Sequence, residues 1–94
     1  MSKTWIKDET SGGFKCEMPG NITLFATPVY SVFRAFKIKP ARGTQWRAGC
    51  SHWDESTHTL SRFGRDAYMT PVATSAEACK LAMTIYTEAL ETGQ

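Results

Sequence analysis

The sequence lacks a paired set of cysteines, a long apolar run and a strong excess of charge. Its three cysteines, Cys16, Cys50 and Cys79, are odd in number and widely spaced. This argues against a disulfide framework and favours a reducing compartment. No apolar stretch approaches the roughly 18–20 residues needed to cross a bilayer, and the N-terminal residues do not match a secretory signal. We therefore expect a cytoplasmic protein without membrane contacts.

Motifs for catalysis and cofactor binding are also lacking. There is no glycine-rich phosphate loop, no nucleophile elbow and no pair of carboxylates that stands out as an acid/base couple. Cys50, His52 and Asp54 follow the order of a nucleophile, a base and an orienting acid, but alternate strand residues lie about 6.6 Å apart, too far for a thiol–imidazole hydrogen bond. Cys50, His52 and His58 lack the tight paired spacing of zinc ligands. We expect no catalytic residue, metal or cofactor.

What the chain does contain is enough material for one small core. Its 94 residues are 41% hydrophobic and 12% aromatic, which is ordinary for a globular protein. A chain of this length leaves no room for a second core. The sequence predicts a single domain over residues 1–94.

Strand patterns dominate the first three quarters of the chain. Alternating polarity, β-forming residues and turn residues predict strands over 14–18, 22–26, 29–38, 45–53 and 58–63, with a short extended piece over 67–72. The segment 29–38 is ambiguous, because its apolar residues also recur at helical spacing after Thr27-Pro28. Its richness in β-forming residues favours the strand.

The last predicted element is a helix over residues 75–91. Thr74 and Glu77 form a capping-box pattern, apolar residues then recur at helical spacing as far as Leu90, and Gly93 is a typical C-terminal stop. Short connections between strands favour hairpins. The predicted fold class is α+β: an antiparallel sheet of about four to five strands with the C-terminal helix packed on one face.

Charge is distributed unevenly, although the net charge is only +2. Residues 34–65 hold seven basic and two acidic side chains, whereas residues 66–94 hold one basic and four acidic. The basic middle also carries aromatic residues. Two interpretations stay open: the cations and an exposed aromatic ring bind phosphates and stack on bases, or strand alternation buries the aromatics and leaves the cations solvated.

The same basic segment also suits an acidic patch on a protein, where arginine and tryptophan are favoured anchors. We expect the partner to be a protein or nucleoprotein complex, with nucleic acid as the alternative. The predicted partner-binding residues are Arg34, Lys37, Lys39, Arg42, Arg47, Trp46 and Trp53.

Two resemblances bear on function. The strands and turns followed by Thr-Ser-Ala-Glu-Ala at a helix start, within residues 45–90, resemble the three-stranded sheet-plus-helix domains of the AP2 and integrase-arm kind, which bind DNA through the sheet. The glycine and aromatic positions of those domains are missing, so no binding residue is carried over. In size and in its lack of an enzyme motif, the whole chain resembles small phage-encoded accessory proteins, including anti-CRISPR inhibitors.

The second resemblance implies a protein that blocks a host complex handling nucleic acid. Together with the charge pattern, it predicts a non-catalytic interaction protein that inhibits or modulates a host protein or nucleoprotein complex, such as a CRISPR-type defence complex, in the host cytoplasm. The alternative is a nucleic-acid-binding domain that uses a basic, aromatic sheet face.

Overall fold

The computed structural model describes residues 4–92; the expected stop at Gly93 lies outside them. The elements in chain order are β1 (Ile6–Asp8), β2 (Gly13–Met18), β3 (Ile22–Pro28), β4 (Ser31–Arg34), β5 (Lys37–Pro40), β6 (Trp46–Asp54), β7 (Thr59–Arg62) and α1 (Ser75–Thr92). No helix within residues 4–92 combines the length and apolar content needed to cross a bilayer.

Five strands form one antiparallel sheet in the order β1-β2-β3-β6-β7, and β4 and β5 form a separate two-stranded ribbon. The central pairing joins β3 to β6 over their full common length, from Ile22 opposite His52 to Pro28 opposite Trp46. The ribbon is inserted between these two strands. The predicted α+β fold, with an antiparallel sheet and one C-terminal helix, is confirmed.

The core lies between one face of the sheet and α1. Cys16, Leu24 and Cys50 stand opposite one another across three strands and are all buried. On the helix, Ala82 and Ile85 are fully buried against this face. Small side chains allow the helix backbone to approach the sheet closely, so that one large residue, Ile85, fills much of the space.

The helix begins as the capping pattern predicts, with one difference. The Thr74 hydroxyl accepts a hydrogen bond from the Glu77 amide at 3.2 Å, which satisfies a free helix N–H. The same hydroxyl donates to the Glu77 carboxylate at 3.2 Å. The carboxylate therefore holds the capping hydroxyl in place instead of bonding the backbone amide of Thr74.

Three sequence predictions need correction. The segment 29–38 is neither one strand nor a helix, because β3 ends at Pro28 and the chain then forms β4, a tight turn and β5. The short strand β1 was not predicted. The piece 67–72 is a loop that joins the sheet at a single bridge between Val72 and Trp46. The first two differences arise from local hairpins, β4 with β5 and β1 with β2, and the third from a contact distant in the sequence.

We expect Ile85→Ala to lower the free energy of unfolding by about 2–5 kcal/mol, because it removes buried methyl groups and leaves a cavity. Leu90→Ala on the exposed side of the same helix is the control and should change stability by about 0.5 kcal/mol or less. Urea denaturation measures both. Equal losses in the two variants would contradict the assigned packing face.

Candidate functional site

The inserted ribbon and its flanking residues, 30–42, form an element that we call the arm. Its base is held by Thr44, a buried residue whose hydroxyl accepts a hydrogen bond from the Tyr30 amide and donates one to the Gln45 carbonyl, both at 2.9 Å. The Ala41 amide also donates to the Tyr30 carbonyl at 2.9 Å. These bonds fix where the chain leaves the sheet and where it returns.

One edge of the arm rests on the turn between β1 and β2. Gly12 in that turn has a φ of +80°, and a Cβ there would lie 3.2 Å from the Ile38 carbonyl oxygen of β5. Glycine therefore suits both the backbone conformation and the close approach. Beyond this contact, every residue from 30 to 37 is exposed. The arm projects from the sheet and is not covered by it.

The tip of the arm is an unfavourable turn. Ala35 and Phe36 are the two central residues, with φ values of +54° and +62°. Such a two-residue turn between strands normally contains asparagine, aspartate or glycine, because other residues are strained at positive φ. Phe36 is also 93% exposed. The presence of alanine and phenylalanine at this turn therefore does not stabilise the fold.

Cations gather on one face of the arm. Arg34 stands directly opposite Lys37, and Lys39 stands opposite Val32, so strand alternation places all four side chains on the same face. Like charges directly opposite one another destabilise a ribbon. The arm cations form no ion pair within residues 4–92, whereas Arg65 pairs with Glu88 at 2.9 Å.

The opposite face of the arm is apolar. Phe33 pairs with Ile38 across the ribbon, and Phe33 is 70% exposed. A cleft of about 270 Å³ lies between this face and Lys7 and Glu9 near β1. The arm therefore presents aromatic surface on one side and positive charge on the other.

The structure separates the predicted contact residues into three groups. Arg34, Lys37 and Lys39 lie together on the arm, and Arg42 is exposed in the loop that follows β5. Trp53 is at the far end of β6, about 23 Å from the start of that strand, and is 39% exposed with its ring against His58.

Two of the predicted contact residues serve the fold. Trp46 is only 8% exposed and stacks on Phe14 with ring centroids 6.0 Å apart, so its ring is not available to a partner. Arg47 points to the uncovered sheet face, where its guanidinium donates to the Tyr68 carbonyl at 2.7 Å and lies 5.0 Å from the Tyr68 ring centre. The predicted contact residues therefore do not form one surface.

The predicted contact residues do not include Tyr30, Phe33 and Phe36, although the sequence shows aromatic residues among the cations and leaves an exposed ring open. Burial was the competing interpretation for the two phenylalanines, because alternation in a strand usually turns aromatics into the core. The turn at Ala35 could not be predicted, because the sequence has no asparagine or glycine there. The missed feature is therefore a hairpin whose sequence lacks the usual turn residues.

The uncovered face of the main sheet holds a second cleft, of about 380 Å³. Its floor is Gly49, where a Cβ would lie 2.6 Å from Phe25 Cζ, so the glycine allows the phenylalanine ring to lie across the strand. Tyr68 contacts Phe25 edge-on, with centroids 6.0 Å apart. The exposed side chains of Leu60 and Met69 line the opening. The aromatic contacts cover part of a sheet face that lacks a helix.

The Cys50, His52 and Asp54 series does not form a catalytic arrangement. The Cys50 thiol is buried and lies 3.2 Å from the Ala82 carbonyl oxygen, to which it donates, and burial raises its pKa to about 11. Asp54 bonds the hydroxyl and the amide of Ser56, which lowers its carboxyl pKa. Within residues 4–92, no cluster of three or more metal-ligating side chains is present.

We expect the raised pKa of Cys50 to make stability depend on alkaline pH. A thiol whose pKa is higher in the folded state keeps its proton there but loses it on unfolding, so folding stability falls as the pH rises toward about 11. The Cys50→Ala variant should lack this part of the decline. Urea midpoints measured from pH 8 upward test it; parallel curves for the two proteins would contradict the assignment.

We also expect the arm tip to limit stability. The double variant Ala35→Asn and Phe36→Gly relieves strain at positive φ and should raise the free energy of unfolding by about 1 kcal/mol or more, or roughly 4–8 °C in melting temperature. Phe36→Ala removes the ring but keeps a strained residue, so its melting temperature should match that of the parent protein. A double variant that melts no higher than the parent would show that the tip is not strained.

Comparisons with protein-family models, curated proteins and solved structures found no match.

Proposed function

We propose that the protein is a non-catalytic interaction protein that docks on a host protein or nucleoprotein complex through the arm and inhibits or modulates it. The observation that carries this proposal is the composition of the arm: a projecting ribbon with exposed aromatic rings and with cations that form no ion pair within residues 4–92. Aromatic residues and arginine are enriched in protein interfaces, where they anchor binding. The charge favours a partner with an acidic surface.

The energetic cost of the arm supports the same proposal. A strained turn at Ala35 and Phe36, like charges at Arg34 and Lys37, and the exposed ring of Phe33 each oppose folding or solubility. Domains are stable by only about 5–15 kcal/mol. Features that cost stability without serving the core are typical of binding surfaces.

The proposed lack of catalysis rests on Cys50. Its buried thiol, with a raised pKa, is poorly suited to act as a nucleophile. The resemblance to small phage-encoded inhibitors makes a bacterial nucleoprotein complex, such as a CRISPR-type defence complex, the first class of partner to test.

The test is affinity capture from bacterial lysates with two charge-matched variants. The double variant Arg34→Glu, Lys37→Glu reverses the charge at two positions of the arm. The control, Lys15→Glu with Lys80→Glu, makes the same change in net charge on β2 and α1. We expect the arm variant to lose a stoichiometric partner that the parent protein and the control variant retain. Loss of the partner in both variants, or in neither, would contradict docking through the arm.

Direct binding of nucleic acid is the second candidate, favoured by the exposed ring of Phe36 beside Arg34 and Lys37. Stacking on that ring and phosphate contacts to the cations would make binding fall steeply with salt. The lysate capture is therefore repeated after nuclease treatment. A partner that survives the treatment supports the protein-binding proposal, and one that is lost supports nucleic acid.

A further inference from the structure

The hydrogen-bond pattern of the arm leaves one strand edge free. The Ala41 amide donates to the Tyr30 carbonyl directly opposite it, which makes these two residues a hydrogen-bonded pair. Hydrogen-bonded and non-hydrogen-bonded pairs alternate along an antiparallel ribbon. The backbone groups of Ser31 and Phe33 therefore point away from β5. Pro40, which has no N–H, stands opposite Ser31 and fits this assignment.

The two edges of the arm differ in their surroundings. The β5 edge lies against the turn at Gly12, close to the carbonyl of Ile38. On the other side, β4 has no strand neighbour besides β5 among the described residues, and the turn and loop hydrogen bonds found there do not involve the amides of Ser31 and Phe33. Proteins usually protect a free edge by shortening it, covering it or placing charges beside it. The edge of β4 is short and carries Arg34, but it also exposes the apolar side chains of Val32 and Phe33.

We propose that an extended acidic segment of the partner adds to the arm as a third strand along the β4 edge; this rests on the proposed function. Main-chain hydrogen bonds to Ser31 and Phe33 would supply register and affinity, and alternate side chains would supply specificity. Acidic side chains of the added strand lie beside Arg34, with Lys37 and Lys39 one strand further away on the same face. Apolar side chains on its other face lie against Phe33.

Charge selects this occupant over the other candidates. The sequence contains no acidic residue from position 18 to position 53, so the arm attracts acidic chains. A second copy of the arm would bring its own cations against Arg34, Lys37 and Lys39. Nucleic-acid phosphates offer hydrogen-bond acceptors but no donors, so they cannot pair with the outward carbonyls of Ser31 and Phe33 as a peptide strand can.

The probe is a synthetic peptide of about eight residues that alternates glutamate with valine. We expect it to bind the intact protein and to slow hydrogen exchange at the amides of Ser31 and Phe33, with little change in the core of β3. Ser31→Pro removes an outward N–H at an edge position where proline is tolerated, and should weaken binding roughly tenfold. Ser31→Ala keeps the N–H and should bind like the parent protein.

Three outcomes overturn the strand-addition proposal. One is peptide binding that does not slow exchange at the amides of Ser31 and Phe33 and that Ser31→Pro does not weaken. Arm-dependent capture from lysate would then still support docking through charge alone. Another is the absence of peptide binding up to millimolar concentration. The third is binding of a single-stranded oligonucleotide in place of the peptide. Loss of arm dependence in the lysate capture, by contrast, would remove the proposed function itself.

Discussion

The pairing of β3 with β6 determines the rest of the structure. Because Pro28 at the end of one strand stands opposite Trp46 at the start of the other, the intervening residues must leave the sheet and return to the same point. They do so as the hairpin of β4 and β5, whose base is joined by the hydrogen bonds from Tyr30 to Thr44 and from Ala41 to Tyr30. The arm therefore follows from a long-range contact, and the core can form without a contribution from its tip.

This arrangement divides the basic residues by role. Arg47 lies within the paired strands and is held by Tyr68, and Arg62 and Arg65 pair with Asp66 and Glu88 at 3.3 and 2.9 Å. The arm cations form no ion pair within the described residues, although Glu9 lines the same cleft as Lys37 and Lys39. The arginines near the helix are neutralised by ion pairs, whereas the positive charges of the arm are not neutralised within residues 4–92. The exposed rings add apolar surface beside these charges.

Local patterns were sufficient for part of the fold. The helix could be predicted because Thr74, Glu77 and the alanine-rich stripe act within a few residues of one another, and β6 could be predicted from its alternation. The arm could not be predicted, since Ala35 and Phe36 are not turn residues and the pairing that creates the hairpin spans distant positions. The candidate site was predicted in part, because Arg34, Lys37 and Lys39 share a face of the arm. The burial of Trp46 could not be predicted, because it depends on which face of the sheet the helix covers.

The central claim is that the arm is a formed ribbon with one free edge. Amide hydrogen exchange of the protein without any partner tests this claim directly. We expect slow exchange at Val32 and Arg34, whose amides point to β5, and fast exchange at Ser31 and Phe33, whose amides point to solvent. Uniformly fast exchange across residues 31–40 would contradict it, because the arm would then have no fixed edge to offer a partner.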